Sequence, residues 1–174
     1  MSESIIKGKV FKVGNDIDTD QIFPGRYLYL TSPEEMAVHA LEDAIPDFYK
    51  KIKVEDWIIA AGEYFGCGSS REQASRAILY AGIKAVVAES FGRIFYRNAL
   101  NAGLPIIKCP GIVKEIHQED LMRVNLEEGL IILNASGKTL SIEKFPFQLL
   151  TILENGGLIP YLRKFKKFSH LKRN

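Results

Sequence analysis

Cysteine is scarce in this chain: Cys67 and Cys109 are the only two, and they form no CxxC pair. Two thiols cannot staple a disulfide scaffold, and they are too few to hold an iron–sulfur cluster or a four-cysteine zinc site alone. The sequence leaves open a single bridge between them. Histidine is nearly as rare, and His39, His117 and His170 show no metal-ligand spacing, so no metal site is expected in this chain. No apolar run approaches the roughly 18–20 residues of a membrane-spanning helix, so no membrane partner is expected. The start, Met1-Ser2-Glu3-Ser4-Ile5-Ile6-Lys7, lacks a basic stretch followed by an apolar one. A secretory signal is therefore not expected, and the expected location is the cytoplasm. Repeats, low-complexity tracts and long linkers are also missing, which leaves one domain over residues 1–160. Residues 161–174 form a basic C-terminal extension.

That extension holds Arg163, Lys164, Lys166, Lys167, Lys172 and Arg173 and no acid, so the net charge of +2 hides an asymmetry. Without those residues the rest of the chain is net negative, about −4. A basic tail can bind nucleic acid or an acidic surface, and it is equally what a solvated terminus looks like. The body lacks the broad positive surface of a nucleic-acid protein, so no nucleic-acid partner is expected.

Residues 5–13 alternate loosely and read as a strand. The turn after them, Gly14 to Asp20, carries Asp16, Asp18 and Asp20. It lacks the glycine and glutamate that a calcium loop needs at its sixth and twelfth positions. Ser32-Pro33-Glu34-Glu35 predicts a helix start, with Ser32 as cap, Pro33 at the first helical position and Glu35 reaching back. Ala37, Ala40, Leu41 and Ala44 give that helix an apolar stripe up to Pro46. Strands are predicted at 57–61, 85–88 and 105–109, and helices at 70–81, 92–102 and 146–155. Two further strands flank Asn134–Lys138 as a hairpin. Strand–helix–strand alternation with short connections implies parallel crossovers. The expected fold is α/β, a mostly parallel sheet with an added antiparallel hairpin.

One segment carries chemistry: Gly62-Glu63-Tyr64-Phe65-Gly66-Cys67-Gly68-Ser69-Ser70-Arg71-Glu72-Gln73. It leaves a buried strand and opens a helix, where ligands bind in open α/β sheets. Free N–H groups and the helix dipole favour an anion there. Gly66 and Gly68 allow close main-chain approach, Ser69 and Ser70 add hydroxyls, and Arg71 adds a fork that matches a carboxylate. A capped helix start is the competing reading, with Ser69 paired to Glu72 or Ser70 to Gln73. A P-loop would need a lysine after the glycines, and a nucleophile elbow would need GxSxG, so neither fits. Cys67 has no histidine near it in sequence to activate a thiolate.

The run Tyr64 to Ala74 resembles the signature of the aconitase-family swivel domain. Glu89-Ser90-Phe91-Gly92-Arg93-Ile94-Phe95-Tyr96-Arg97-Asn98 and Asp18-Thr19-Asp20-Gln21-Ile22 resemble two further blocks of that family. Their order and the chain length match its stand-alone form, the 3-isopropylmalate dehydratase small subunits, and the resemblance covers most of residues 5–160. It implies a swivelling β/β/α domain that isomerises 2-isopropylmalate to 3-isopropylmalate by loss and return of water, in leucine biosynthesis. It also implies a [4Fe–4S] cluster on a partner large subunit, with one iron as Lewis acid. This chain would then bind no cofactor itself and hold half an active site for a hydroxy-acid substrate. In isolation it is free to form a homo-oligomer. By the same resemblance Ser69 is the base, Arg71 and Ser70 bind substrate, and Asp20 supports the site.

The family's specificity loop corresponds to Pro24-Gly25-Arg26-Tyr27-Leu28-Tyr29-Leu30. Homoaconitase-type relatives carry arginine in a Tyr-Leu-Arg-Thr run, where this chain has Tyr29 between Leu28 and Leu30. An apolar loop suits an isopropyl group, because an unpaired carboxylate there would cost several kcal/mol. Arg26 would change this inference if it turned inward, and Tyr27–Leu30 can equally serve as core. Two alternatives remain: the same chemistry on homoaconitate, citramalate or dimethylmalate, and an anion- or RNA-binding module.

Overall fold

A computed structural model describes residues 5–165. The elements, in order, are β1 (Ile5–Lys12), α1 (Thr19–Ile22), α2 (Pro33–Val38), α3 (Phe48–Ile52), β2 (Trp57–Ala61), α4 (Glu72–Tyr80), β3 (Ala85–Ala88), α5 (Arg93–Ala102), β4 (Ile106–Lys108), α6 (Ile112–Glu115), β5 (Leu121–Asn125), β6 (Leu130–Leu133), β7 (Thr139–Ser141), α7 (Phe147–Glu154) and α8 (Leu158–Phe165). They build one seven-stranded sheet in the order β4-β3-β2-β1-β5-β6-β7. β1 to β4 pair in parallel, while β5, β6 and β7 add to the free edge of β1 in antiparallel fashion. The antiparallel part is therefore larger than the expected hairpin: β5 joins the flanking pair.

Alternate residues of each strand enter opposite cores. Phe11, Ile59, Val86 and Ile106 face a core shared with the helices α1 to α5. Val10, Ile58, Val87 and Ile107 face a second core with Ile112, Met122 and Ile131. Every residue of β2 and β3 is buried, as expected of parallel strands covered on both faces. That explains why their sequences run continuously apolar rather than alternating.

The helix predicted after Ser32 starts as expected: Ser32 Oγ accepts from the Glu35 N–H, and Pro33 opens the first turn. It stops at Val38, well before Pro46. Leu41 takes a left-handed conformation (φ 55°), and its N–H donates to Ile22 O at 2.8 Å. Leu41 and Ala40 are buried by this turn, not by a continued helical stripe. At the other end, α8 runs through the boundary drawn at residue 160, and Tyr161 is fully buried. Of the basic extension, Lys166, Lys167, Lys172 and Arg173 lie outside the described residues, as does His170.

Candidate active site

The glycine-rich segment leaves β2 and lies against the 14–20 turn as a short extra ladder. The N–H of Asp16 donates to Glu63 O (2.8 Å), that of Gly66 to Ile17 O (2.7 Å), and that of Thr19 to Cys67 O (2.9 Å). On its other side it pairs with the segment after β3, where the Phe65 N–H donates to Ser90 O (3.1 Å) and the Gly92 N–H to Phe65 O (2.9 Å). Gly66 has φ +75°, and a Cβ there would lie 2.2 Å from the Phe95 ring. A Cβ on Gly92 would lie 2.3 Å from Gly66 O. Only glycine fits at these two contacts, which hold the segment down on α5. Three sequence-distant blocks thus meet at the C-terminal ends of the parallel strands, where open α/β sheets bind ligands.

Ser69 is half-buried, and Thr19 holds it twice. The Ser69 N–H donates to Thr19 Oγ1 (3.0 Å), and the two hydroxyls lie 2.9 Å apart. Thr19 itself is 1% exposed, so this contact has almost no competition from water. The capping alternative for the serines does not occur: α4 starts two residues later than predicted, at Glu72, and its N-cap is Arg71 with no side-chain cap bond. Neither serine hydroxyl is spent on the helix. No acceptor among the described residues takes the N–H of Gly68, Ser70 or Arg71, so these donors and the dipole of α4 remain available to an anion. Gly68, exposed between Cys67 and Ser69, also has a positive φ (+98°).

Arg71 Nη1 donates to Asp20 Oδ1 in an ion pair. The guanidinium is 28% exposed and the carboxylate 60%. Asp20 thereby fixes Arg71 at one nitrogen, and among the described residues its other donors are free. Ser70 is exposed, and its carbonyl accepts from Asn98 Nδ2 at 3.1 Å, which ties the site to α5. Asp18 caps α1 by accepting from the Gln21 N–H at 2.8 Å. Burial, then Asp18 and Asp16, push the Cys67 thiol up, which keeps it protonated and disfavours a thiolate nucleophile. Both cysteines are free thiols.

The 24–30 loop lies beyond α1. Arg26 turns outward to Asp43, making two bonds at 2.7 and 2.6 Å, and also pairs with Glu42. It is not available to a ligand at Ser69. Tyr27 stacks on His39 with ring centroids 3.6 Å apart. Leu28 and Leu30 pack partly against the core, leaving Tyr29, 75% exposed, as the one side chain of the three that is free of it. Sequence reasoning missed Thr19 and Asn98. Both lie inside the blocks already singled out, yet only the ladder between residues 14–20 and 62–69 brings Thr19 to Ser69.

Among the described residues, no three His, Cys, Asp or Glu side chains gather as metal ligands. With two cysteines far apart in the chain, the donor set does not suit an iron–sulfur cluster. Among the described residues, no helix is long and apolar enough to cross a membrane.

The profile of the aconitase C-terminal domain matches residues 12–110. The isopropylmalate/citramalate isomerase small subunit of Methanocaldococcus jannaschii is 53% identical over 161 residues, covering 92% of this chain and 95% of the relative. The 3-isopropylmalate dehydratase small subunit of Sulfolobus acidocaldarius is 52% identical over 160 residues, covering 92% and 98%. A crystal structure of 3-isopropylmalate dehydratase from Methanocaldococcus jannaschii superposes with a TM-score of 0.85 at 48% identity, over 93% of this chain and 95% of that one.

Proposed function

The chain belongs to the aconitase C-terminal domain family, among the small subunits of 3-isopropylmalate dehydratase, and from that membership we propose how its residues divide the reaction. A subunit of this kind is part of a hydro-lyase, works with a large subunit, and serves leucine biosynthesis. In our reading the substrate is 2-isopropylmalate, the [4Fe–4S] cluster sits on the large subunit, and the complex is cytoplasmic. The reading needs neither nucleic acid nor a membrane.

The observation that carries it is the Ser69 hydroxyl, uncommitted to capping and clamped by buried Thr19 beside the Arg71–Asp20 pair. Ser69 removes the proton next to a substrate carboxylate as the hydroxyl leaves the neighbouring carbon, giving the alkene, and on rehydration returns the proton to that neighbouring carbon while hydroxyl adds to the first. A serine hydroxyl is a poor base in water, so its anion must be stabilised by preorganised dipoles. Thr19 supplies one. When Ser69 Oγ carries the charge it can only accept, so Thr19 must donate to it while accepting from the Ser69 N–H. The free amides at the start of α4 and the guanidinium of Arg71 add positive potential. Arg71, oriented by Asp20, holds a substrate carboxylate through its remaining donors. Ser70 and the free N–H of Gly68 complete substrate binding, while Gly66, whose own N–H is spent on Ile17 O, contributes by shaping the segment. Tyr29 meets the substrate's variable side chain, with Leu28 and Leu30 behind it.

The test is anaerobic reconstitution with the cluster-bearing large subunit of the same host, following isopropylmaleate formation from 2-isopropylmalate by ultraviolet absorbance. Turnover should require both subunits. Failure with isopropylmalate in an intact complex would remove this substrate. Citramalate is the second reading. It rests on the name of the Methanocaldococcus relative and on the small energetic difference, about 1–3 kcal/mol, that a few methyl groups make in an apolar pocket.

A further inference from the structure

Beside the site lies a cavity of about 330 Å3, lined by Ser90, Phe91, Arg93, Tyr96, Arg97 and Lys108. We propose that this cavity is the socket through which the chain docks its large subunit, taking acidic side chains of that partner. The inference rests on the heteromeric reading above and goes beyond it by naming the surface and its chemistry.

Three observations carry it. The first is charge. Arg93 and Arg97 stand one turn apart on α5, and Lys108 ends β4 across from them. None of the three forms an ion pair with a carboxylate among the described residues, whereas Lys9, Arg26, Lys50, Arg71, Arg76, Lys84 and Lys138 all do. Three like charges around one cavity repel one another until an anion enters, and two guanidinium forks suit carboxylates in particular. The second is the lining. Phe91 and Tyr96 meet edge to face at 5.8 Å and give the cavity apolar walls. Burial and Glu143 push the Tyr96 phenol up, so it remains a neutral donor. Arginine with aromatics is the composition of interface hot spots.

The third is position. Ser90 follows β3, and its hydroxyl accepts from the N–H of Tyr64 in the glycine-rich segment at 2.9 Å. The helix that carries Arg93 and Arg97 also holds Ser70 through Asn98. A partner that presents substrate to Ser69 must cover this end of the sheet, and the cavity opens there. Tyr64 and Ile94, 56% and 47% exposed, lie on the segments that bound the cavity and offer that partner apolar contact.

The experiment compares the wild-type chain with Arg97→Glu, Arg97→Lys and the double variant Arg93→Glu/Arg97→Glu. Each is titrated into the cluster-bearing large subunit, with the assembly Kd measured at several salt concentrations. Lys7→Glu, at the opposite end of the parallel strands, is the control. All three substituted sites, Arg93, Arg97 and Lys7, are on the surface, and a thermal melt of each of the four variants checks folding. Arg97→Glu should weaken assembly about tenfold or more, and the double variant further, with a flatter salt dependence than wild type. Arg97→Lys should lose less, and Lys7→Glu nothing. Activity of the double variant should return towards wild type at saturating large subunit, since the cavity holds no residue assigned to the chemistry. Carbodiimide treatment of the wild-type complex should join Lys108 to an aspartate or glutamate of the large subunit. A folded double variant that assembles within about threefold of wild type would overturn the proposal. So would a cavity that binds free 2-isopropylmalate in the isolated chain, lost in the double variant, with assembly unchanged. Dehydratase activity of the wild-type mixture reports separately on the functional reading, which stands or falls without these variants.

Discussion

Replacing Ser69 by alanine separates a base from a structural serine, and the structure fixes what else the change costs. Among the described residues the hydroxyl has one partner, Thr19 Oγ1 at 2.9 Å. Its loss removes one hydrogen bond, worth about 0.5–1.5 kcal/mol. Thr19 still accepts from the Ser69 N–H at 3.0 Å, but its buried O–H loses the acceptor that Ser69 Oγ provides, which brings the cost to about 1–3 kcal/mol. α4 keeps its start, because no serine caps it. The melting temperature should therefore fall by only about 2–4 °C per kcal/mol lost, as for domains of this size. Catalysis should fall far more: a general base typically contributes about 10²–10⁴-fold. The loss should appear in kcat, with KM little changed, because the hydroxyl acts chiefly in the transition state. The assay is the reconstituted enzyme with 2-isopropylmalate, beside a thermal melt of the isolated chain. Ser70→Ala is the comparison. Ser70 is exposed and holds Asn98 through its carbonyl, which alanine retains. It should lose substrate affinity more than turnover. If the Ser69→Ala enzyme kept more than about a tenth of wild-type kcat, the base would have to be another group.

Four further outcomes follow from the same geometry. Thr19→Val should lower kcat and shift the acid-side limb of its pH profile, along which the base loses its proton, upward, because the Ser69 anion loses a donor, while Thr19→Ser should restore both; identical profiles for Val and Ser would leave Thr19 a packing residue. Gly66→Ala should destabilise the chain by several kcal/mol or prevent folding, since its Cβ would overlap the Phe95 ring; a melt within a degree or two of wild type would refute that. The Cys67 thiol, pushed up by burial and by Asp18 and Asp16, should be alkylated at pH 8 more slowly than a free thiol of ordinary pKa, and faster as pH rises. Equal rates at pH 8 would show that it is not held protonated. Tyr29→Arg should raise the kcat/KM ratio for homoaconitate over isopropylmalate by giving a third carboxylate a partner, and an unchanged ratio would remove this position from specificity.

Local sequence determined a good deal here. The continuous apolar runs of β2 and β3, the helix after Ser69 with Gly82 past its end, and the strand alternation all follow from patterning that burial and backbone stereochemistry enforce residue by residue. The glycine-serine-arginine segment was legible too, because few local structures need those residue types together. What the sequence left open depended on partners far along the chain. The stripe Ala37–Ala44 is helical in pattern, yet a tertiary bond from Leu41 to Ile22 O ends the helix early. Ser69 and Ser70 match a capping box equally well, and only the later start of α4 releases them. Arg26 could have faced the site until Asp43 and Glu42 drew it away. Thr19 stands fifty residues from Ser69, and no periodicity pairs them. Helix and strand are chosen by interactions a few residues long, and those are written in order. A site assembled from three blocks depends on backbone ladders between loops, which exist only once the sheet has brought the strand ends together.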